Sequence, residues 1–104
     1  MAVMKKPLTN KQKKHLKGLG HSLRPVVMIA DQGLKETVVS ATDEALDKHE
    51  LIKVKVRADD RDARDEILAK LCDLTEATMV GQIGFTALLF RRNRKNPVVE
   101  LPYS

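Results

Sequence analysis

Aromatic side chains are almost missing from this sequence, which holds no tryptophan, one tyrosine and two phenylalanines among 104 residues. Proteins that grip a single strand by stacking bases on rings need several exposed ones. Phe85 and Phe90 fall in an apolar stretch expected in the core, which leaves Tyr103 alone. Cysteine is nearly absent too. The lone Cys72 excludes an internal disulfide, which fits a reducing cytoplasm. It lies near the apolar arc of its helix, where packing rather than nucleophilic chemistry is the expected role. No apolar run approaches the roughly 20 residues that cross a bilayer, so a soluble protein without a membrane partner is expected. The basic opening MAVMKKPLTNKQKK is followed by no apolar segment and cleavage site, and does not read as a secretion signal. His15, His21 and His49 are scattered and no His or Cys pair has metal-ligand spacing, so no metal or other cofactor is expected. The acids of DDRDARDE, residues 59–66, alternate with arginines along an outward helix face, the pattern of a solvated helix rather than of a general acid and base. No enzyme is expected.

What the chain has in quantity is charge, arranged in blocks. The formal net charge is +5. Residues 1–24 carry seven Lys and Arg and no acid, residues 31–50 are net −4, residues 51–57 net +3, residues 58–76 net −4 and residues 77–104 net +3. Signs normally intersperse on a protein surface, and segregation of this kind can build one positive face suited to a polyanion. At 104 residues the chain is one domain's worth of material.

Periodicity places the blocks on elements. Thr9 with Gln12 three places on forms a capping-box pattern and glycines close the run, so residues 10–19 should be a helix, with Leu16 and Leu19 inward and Lys11, Lys13, Lys14 and Lys17 fanned over the other side. PVVMI, residues 25–29, is wholly apolar and reads as a buried strand. Residues 34–49 form a second helix, with Leu34, Val38, Ala41, Ala45 and Leu46 on one arc and Glu36, Asp43, Glu44 and Asp47 opposite. LIKVKVRA alternates strictly, Ile52, Val54 and Val56 against Lys53, Lys55 and Arg57, the period of a half-buried strand with a basic stripe. A third, acidic helix follows, with Ala63, Ile67, Leu71 and Leu74 inward, and a pair of strands ends the fold. The order α-β-α-β-α-β-β predicts a single compact α/β domain with a small mixed four-stranded sheet. Residues 9–96 form the expected domain, between a flexible N-terminus at 1–8 and a tail at 97–104.

Two glycine sites compete as backbone clamps. Gly81 and Gly84 have the G-x-x-G spacing of KH-type domains, but their setting is β-rich rather than helical. A hairpin turn at Gly84 and a strand glycine at Gly81, near a bulge, fit better. The other site is ADQG, residues 30–33, between the first strand and second helix. There unpaired helix N–H groups and a glycine would let a phosphate approach. A plain connection capped by Asp31 accounts for that stretch equally well.

The run from Leu8 to Arg92 resembles the CRM domain family, and in particular its free-standing bacterial YhbY-like members. The resemblance is carried by K-Q-x-x-x-L-K at Lys11 to Lys17, H-x-L-x-P-V-V at His21 to Val27, Gly33-Leu34, and H-E-L-I-K-V-K at His49 to Lys55. It implies a fold similar to the C-terminal domain of the third translation initiation factor, RNA binding, and association with ribosomal RNA in precursors of the large ribosomal subunit. The family's G-x-x-G falls at residues 30–33, where Ala30 replaces the first glycine and Asp31 adds a negative charge. The expected RNA-binding set is Lys11, Lys13, Lys14, Lys17, Arg24, Gln32, Gly33, Lys35, Lys53, Lys55, Arg91 and Arg92, reading backbone and shape rather than base sequence. In a different class, the acidic helices could dock on ribosomal proteins and make the chain an interaction adaptor. A double-stranded DNA binder is disfavoured, because no helix carries a pattern of major-groove readers.

Overall fold

The computed structural model describes residues 8–30 and 33–102. The elements run α1 (Asn10–Gly20), β1 (Pro25–Ile29), α2 (Glu36–His49), β2 (Leu51–Val56), α3 (Arg61–Thr75), β3 (Thr78–Ile83) and β4 (Thr86–Phe90). The strands form one mixed sheet in the order β1-β2-β4-β3. β1 runs parallel to β2, as a helical crossover through α2 allows, while β4 is antiparallel to both its neighbours. The expected α/β architecture is the observed one.

Strict alternation in β2 divides the molecule into two layers. Ile52, Val54 and Val56 join Val27, Ile29, Ala87 and Leu89 on one sheet face, where Leu46 of α2 and Leu68, Leu71 and Cys72 of α3 cover them. The intervening Leu51 joins Val80, Leu88 and Phe90 on the opposite face, under Leu16 of α1. Each such side chain fully withdrawn from water contributes about 1.5–3 kcal/mol. Both acidic helices thus lie behind the sheet, and the lysine-rich helix lies in front.

α1 begins as its sequence predicts. The Gln12 N–H donates to Thr9 Oγ1 (3.1 Å) and the Thr9 N–H to Gln12 Oε1 (3.0 Å). The helix packs through Leu16 and Gly20, and a Cβ built on Gly20 would stand 2.4 Å from Leu88 Cδ1. That axis turns Leu19, expected inward, out to 41% exposure. Similar corrections apply in the other helices. α2 starts at Glu36 rather than residue 34 and buries Thr42, which bonds the Val38 carbonyl (2.8 Å), while Ala41 is exposed. α3 buries Leu68, Leu71, Cys72 and Thr75, and Leu74 is exposed. A buried arc is set by where the helix meets the sheet, and a helical wheel leaves that rotation free by one residue either way.

β1 departs most from expectation. Val27 and Ile29 are buried, but Val26 and Met28 are 54% and 58% exposed. β1 is an edge strand, and the apolar cluster beneath α1 draws on β2, β3 and β4 without reaching it.

The hairpin at 83–86 has the predicted form. Gly84 has φ +58 at the first of the two turn residues, and the β3–β4 register shifts between Met79 and Gly81. Gly81 has a second reason to be glycine, since a Cβ there would meet Lys17 Cε at 3.1 Å. Arg64 of α3 fixes the turn, donating to the Gly84 carbonyl (2.8 Å) with its guanidinium 5.4 Å from the Phe85 ring centroid. Valine at Gly84 would meet no neighbour but would strain the positive φ. Gly84→Val is expected to cost about 1–2 kcal/mol in denaturant unfolding.

Candidate nucleic-acid interface

The front face of the sheet is only half covered. α1 crosses one end, and the chain beyond β4 packs beside it, with Val99 and Leu101 on the α1 cluster, Gln12 Nε2 donating to the Pro102 carbonyl (2.8 Å) and the His15 ring bonding the Glu100 carbonyl (2.9 Å). Among the described residues, no helix covers the other end. A groove of about 350 Å³ lies between the C-terminal turn of α1 and the sheet, lined by Lys17, His21, Lys53, Ile83 and Thr86 among others. A second, of about 470 Å³, lies on the other side of Lys53 and includes Leu19, Arg24, Val26 and Val98.

Lys53 therefore stands between the two grooves and brings Lys17 and Arg24 into one neighbourhood. Lys55 is exposed one step along the same face of β2. Lys11 and Lys14 are exposed on the outer side of α1, whereas Lys13 is half-buried. None of the four described strands contains an acidic residue. The acids of α2 and α3 lie behind the sheet, so the charge blocks of the sequence become two opposed surfaces.

Gly33 lies beyond the C-terminal end of β1. It has φ +83, and its N–H closes a turn onto the Ala30 carbonyl (3.0 Å). The N-cap of α2 is Lys35, whose side chain makes no cap hydrogen bond; its carbonyl accepts the N–H groups of Val38 (3.0 Å) and Val39 (3.1 Å), and the exposed Glu36 lies in the first turn at the positive dipole end. Asp31 and Gln32 lie outside the described residues, as do residues 1–7 and Tyr103. The Arg57 N–H bonds the Ile29 carbonyl (2.8 Å), which brings the end of the β2 stripe beside this loop.

Arg91 and Arg92, both in the expected RNA-binding set, also make contacts within the fold, Arg91 half-buried and Arg92 exposed. Arg91 pairs with Asp43 and with Asp47 (2.8 Å), and donates to the Thr75 carbonyl (2.8 Å), joining β4 to both rear helices. Arg92 pairs with Glu50 (3.2 Å) and donates to the Val99 carbonyl (2.6 Å). A guanidinium with its donors so engaged is held in place by the protein.

Glu50 was not visible as a special residue in the sequence. It is fully buried at φ +63. Its carboxylate accepts the N–H groups of Asn93 (2.6 Å), Val98 (2.6 Å) and Val99 (2.7 Å), besides the Arg92 pair. Burial pushes its pKa up, but the amides of Val99, Asn93 and Val98 and the Arg92 charge together hold it below its ordinary value. It clamps the segment that walls the second groove. Among the described residues no cluster of His, Cys, Asp and Glu could hold a metal ion, and no helix is long and apolar enough to cross a membrane.

Known proteins are similar to this chain in sequence and in fold. The chain is 44% identical to a probable RNA-binding protein of Pseudomonas aeruginosa over 85% of each sequence. It is 42% identical to an RNA-binding protein of Haemophilus influenzae over 91% of this chain and 95% of that one. The solution structure of a hypothetical protein from Staphylococcus aureus superimposes with a TM-score of 0.79 at 33% identity, covering 92% of this chain and all of the other. The model of the CRS1/YhbY (CRM) domain matches residues 8–91, from the residue before the α1 cap through the last strand. The chain belongs to the CRS1/YhbY (CRM) domain family.

Proposed function

We propose that this protein is a non-catalytic RNA-binding protein of the cytoplasm, and that its target is ribosomal RNA in precursors of the large ribosomal subunit, whose assembly it serves. The observation that carries RNA binding is the separation of charge across the sheet. Lys17, Arg24, Lys53 and Lys55 gather in front, over strands without an acid, while the acidic helices lie behind. A polyanion is attracted by one face and repelled by the other, which orients the protein as well as binding it. The names of the Pseudomonas and Haemophilus relatives agree with this reading, and the resemblance to YhbY-like proteins supports the ribosomal target. Lys11, Lys13 and Lys14 extend the surface along α1, and Gly33 and Lys35 extend it past the end of β1; Gln32, expected with them, lies outside the described residues.

Crosslinking the protein to RNA in cells and sequencing the attached fragments tests the target, with reads concentrated in large-subunit ribosomal RNA as the expected result. Co-sedimentation with subunit precursors should be lost on ribonuclease treatment. Association that survives digestion would favour docking on ribosomal proteins instead.

The Gly33 loop has its own test. Gly33→Asp and Gly33→Asn should melt alike, because both side chains tolerate positive φ to a similar degree. If a phosphate sits at this helix end, the aspartate variant should bind structured RNA about five- to tenfold more weakly than the asparagine variant, the scale of one helix-terminus charge at close range. Equal affinities would remove Gly33 from the interface.

A further inference from the structure

The open half of the front face is not simply basic. Register aligns Met28, Lys55, Thr86 and Ile83 in a single row across all four strands. At about 4.8 Å between strands the row is about 14 Å wide. Met28 and Ile83 are 58% and 78% exposed, and Val26 in the next row is 54% exposed beside Lys53. The chain keeps three large aliphatic side chains in water among lysines, on a face whose other end it covers with a helix.

We propose that this floor seats unpaired nucleotides of the bound RNA, with base faces lying on Val26, Met28 and Ile83 and phosphates held by Lys17, Lys53 and Lys55. The inference rests on the RNA-binding reading and narrows it to a class of RNA. A duplex hides its base faces and presents phosphates and 2′-hydroxyls, which give an exposed methionine and isoleucine nothing to cover them. An unpaired strand presents flat apolar surface and negative charge at neighbouring positions. An acidic amphipathic helix fits less well, because it needs an unbroken apolar stripe, and here Lys55 and Thr86 stand between Met28 and Ile83. Aliphatic side chains accept any base face and carry no hydrogen-bond code, so the contact is tolerant of sequence. It also needs no aromatic ring: Phe90 is buried, and Phe85, expected in the core, is instead 38% exposed at the hairpin turn with its ring beside Arg64.

The test measures binding of a short oligouridylate, a fully paired RNA duplex and a polyglutamate peptide by fluorescence anisotropy, at one salt concentration and then across several. It uses the wild-type chain and the double variant Met28→Ser, Ile83→Ser. Both sites are exposed, and melting checks that the variant folds. Wild type should prefer the single strand. The variant should lose about tenfold in affinity for it, as expected from two half-covered aliphatic contacts, while the salt slope and duplex binding stay unchanged. Equal binding of both RNAs with no effect of the variant would overturn the seat and leave RNA binding standing. Failure of the wild type to bind either RNA would overturn both. Polyglutamate binding as tightly as the oligonucleotide, and weakened equally by the variant, would assign the face to an acidic peptide.

Discussion

Glu50→Ala is expected to destabilise the domain by about 3 kcal/mol or more, the scale for removing one partner of a buried, hydrogen-bonded charge. The carboxylate is fully buried and receives three backbone N–H groups from a segment more than 40 residues away, at 2.6–2.7 Å. Alanine would leave those three donors without their acceptor and remove the carboxylate from Arg92, which keeps the Val99 carbonyl. The loss should spread to α1, since the clamped segment continues to Glu100 and Pro102, which bond His15 and Gln12. Hydrogen exchange should therefore quicken at residues 93–102 and in the first turns of α1 before it does in α2 and α3. Glu50→Gly separates the clamp from the backbone. Position 50 has φ +63, so glycine relieves a strain of about 1–3 kcal/mol while also deleting the carboxylate. It should be less damaging than alanine yet still less stable than wild type in denaturant unfolding. A glycine variant more stable than wild type would show that the carboxylate contributes less than the strain that glycine relieves.

The same residue sets a pH dependence. Its folded-state pKa lies below its ordinary value of 4.5, so the folded state binds the proton less readily than the unfolded chain does. The stabilisation is therefore fully present above the ordinary value, and is lost as pH falls through the lowered one. The stability gap between wild type and Glu50→Gln should be widest near neutrality and close on acidification.

Much of this architecture was legible because it depends on neighbours in sequence. The Thr9–Gln12 cap, the alternation of β2 and the glycine turn at 84 are local patterns, and each has the form those patterns dictate. Features that depend on distant segments were not. Glu50 reads as one more acid in an acidic block until the chain after β4 returns to it. Arg91 reads as part of a basic run until α2 places Asp43 and Asp47 within its reach. The exposure of Val26 and Met28 depends on how far α1 extends over the sheet, and no pattern within PVVMI encodes that. The lysines of the front face were visible one by one. Their meeting around Lys53 required the sheet order.

Charge reversal at that meeting point is expected to have the largest effect on binding. Lys17→Glu, Lys53→Glu and Lys55→Glu in one protein should weaken binding to ribosomal RNA fragments by roughly a hundredfold at low salt, since three attractive charges become repulsive ones beside strands that carry no acid. The deficit should shrink as salt rises. If each lysine meets a phosphate, the slope of log K against log salt should fall by about 0.7 to 0.9 for each phosphate no longer engaged. Lys17 and Lys55 are exposed, so the fold tolerates them, while Lys53 is half-buried and its single variant is followed by melting as a control. The matched experiment reverses two exposed acids behind the sheet, Glu44→Lys and Glu66→Lys. These change net charge in the other direction, and should alter RNA affinity little beyond a small, salt-screened gain. If rear reversal instead abolishes association with subunit precursors, while front reversal leaves it intact, the acidic helices are the docking surface and RNA binding is secondary. If both sets bind RNA as wild type does, phosphate recognition lies elsewhere, on Lys11 and Lys14 along the outer side of α1 or at the Gly33 loop.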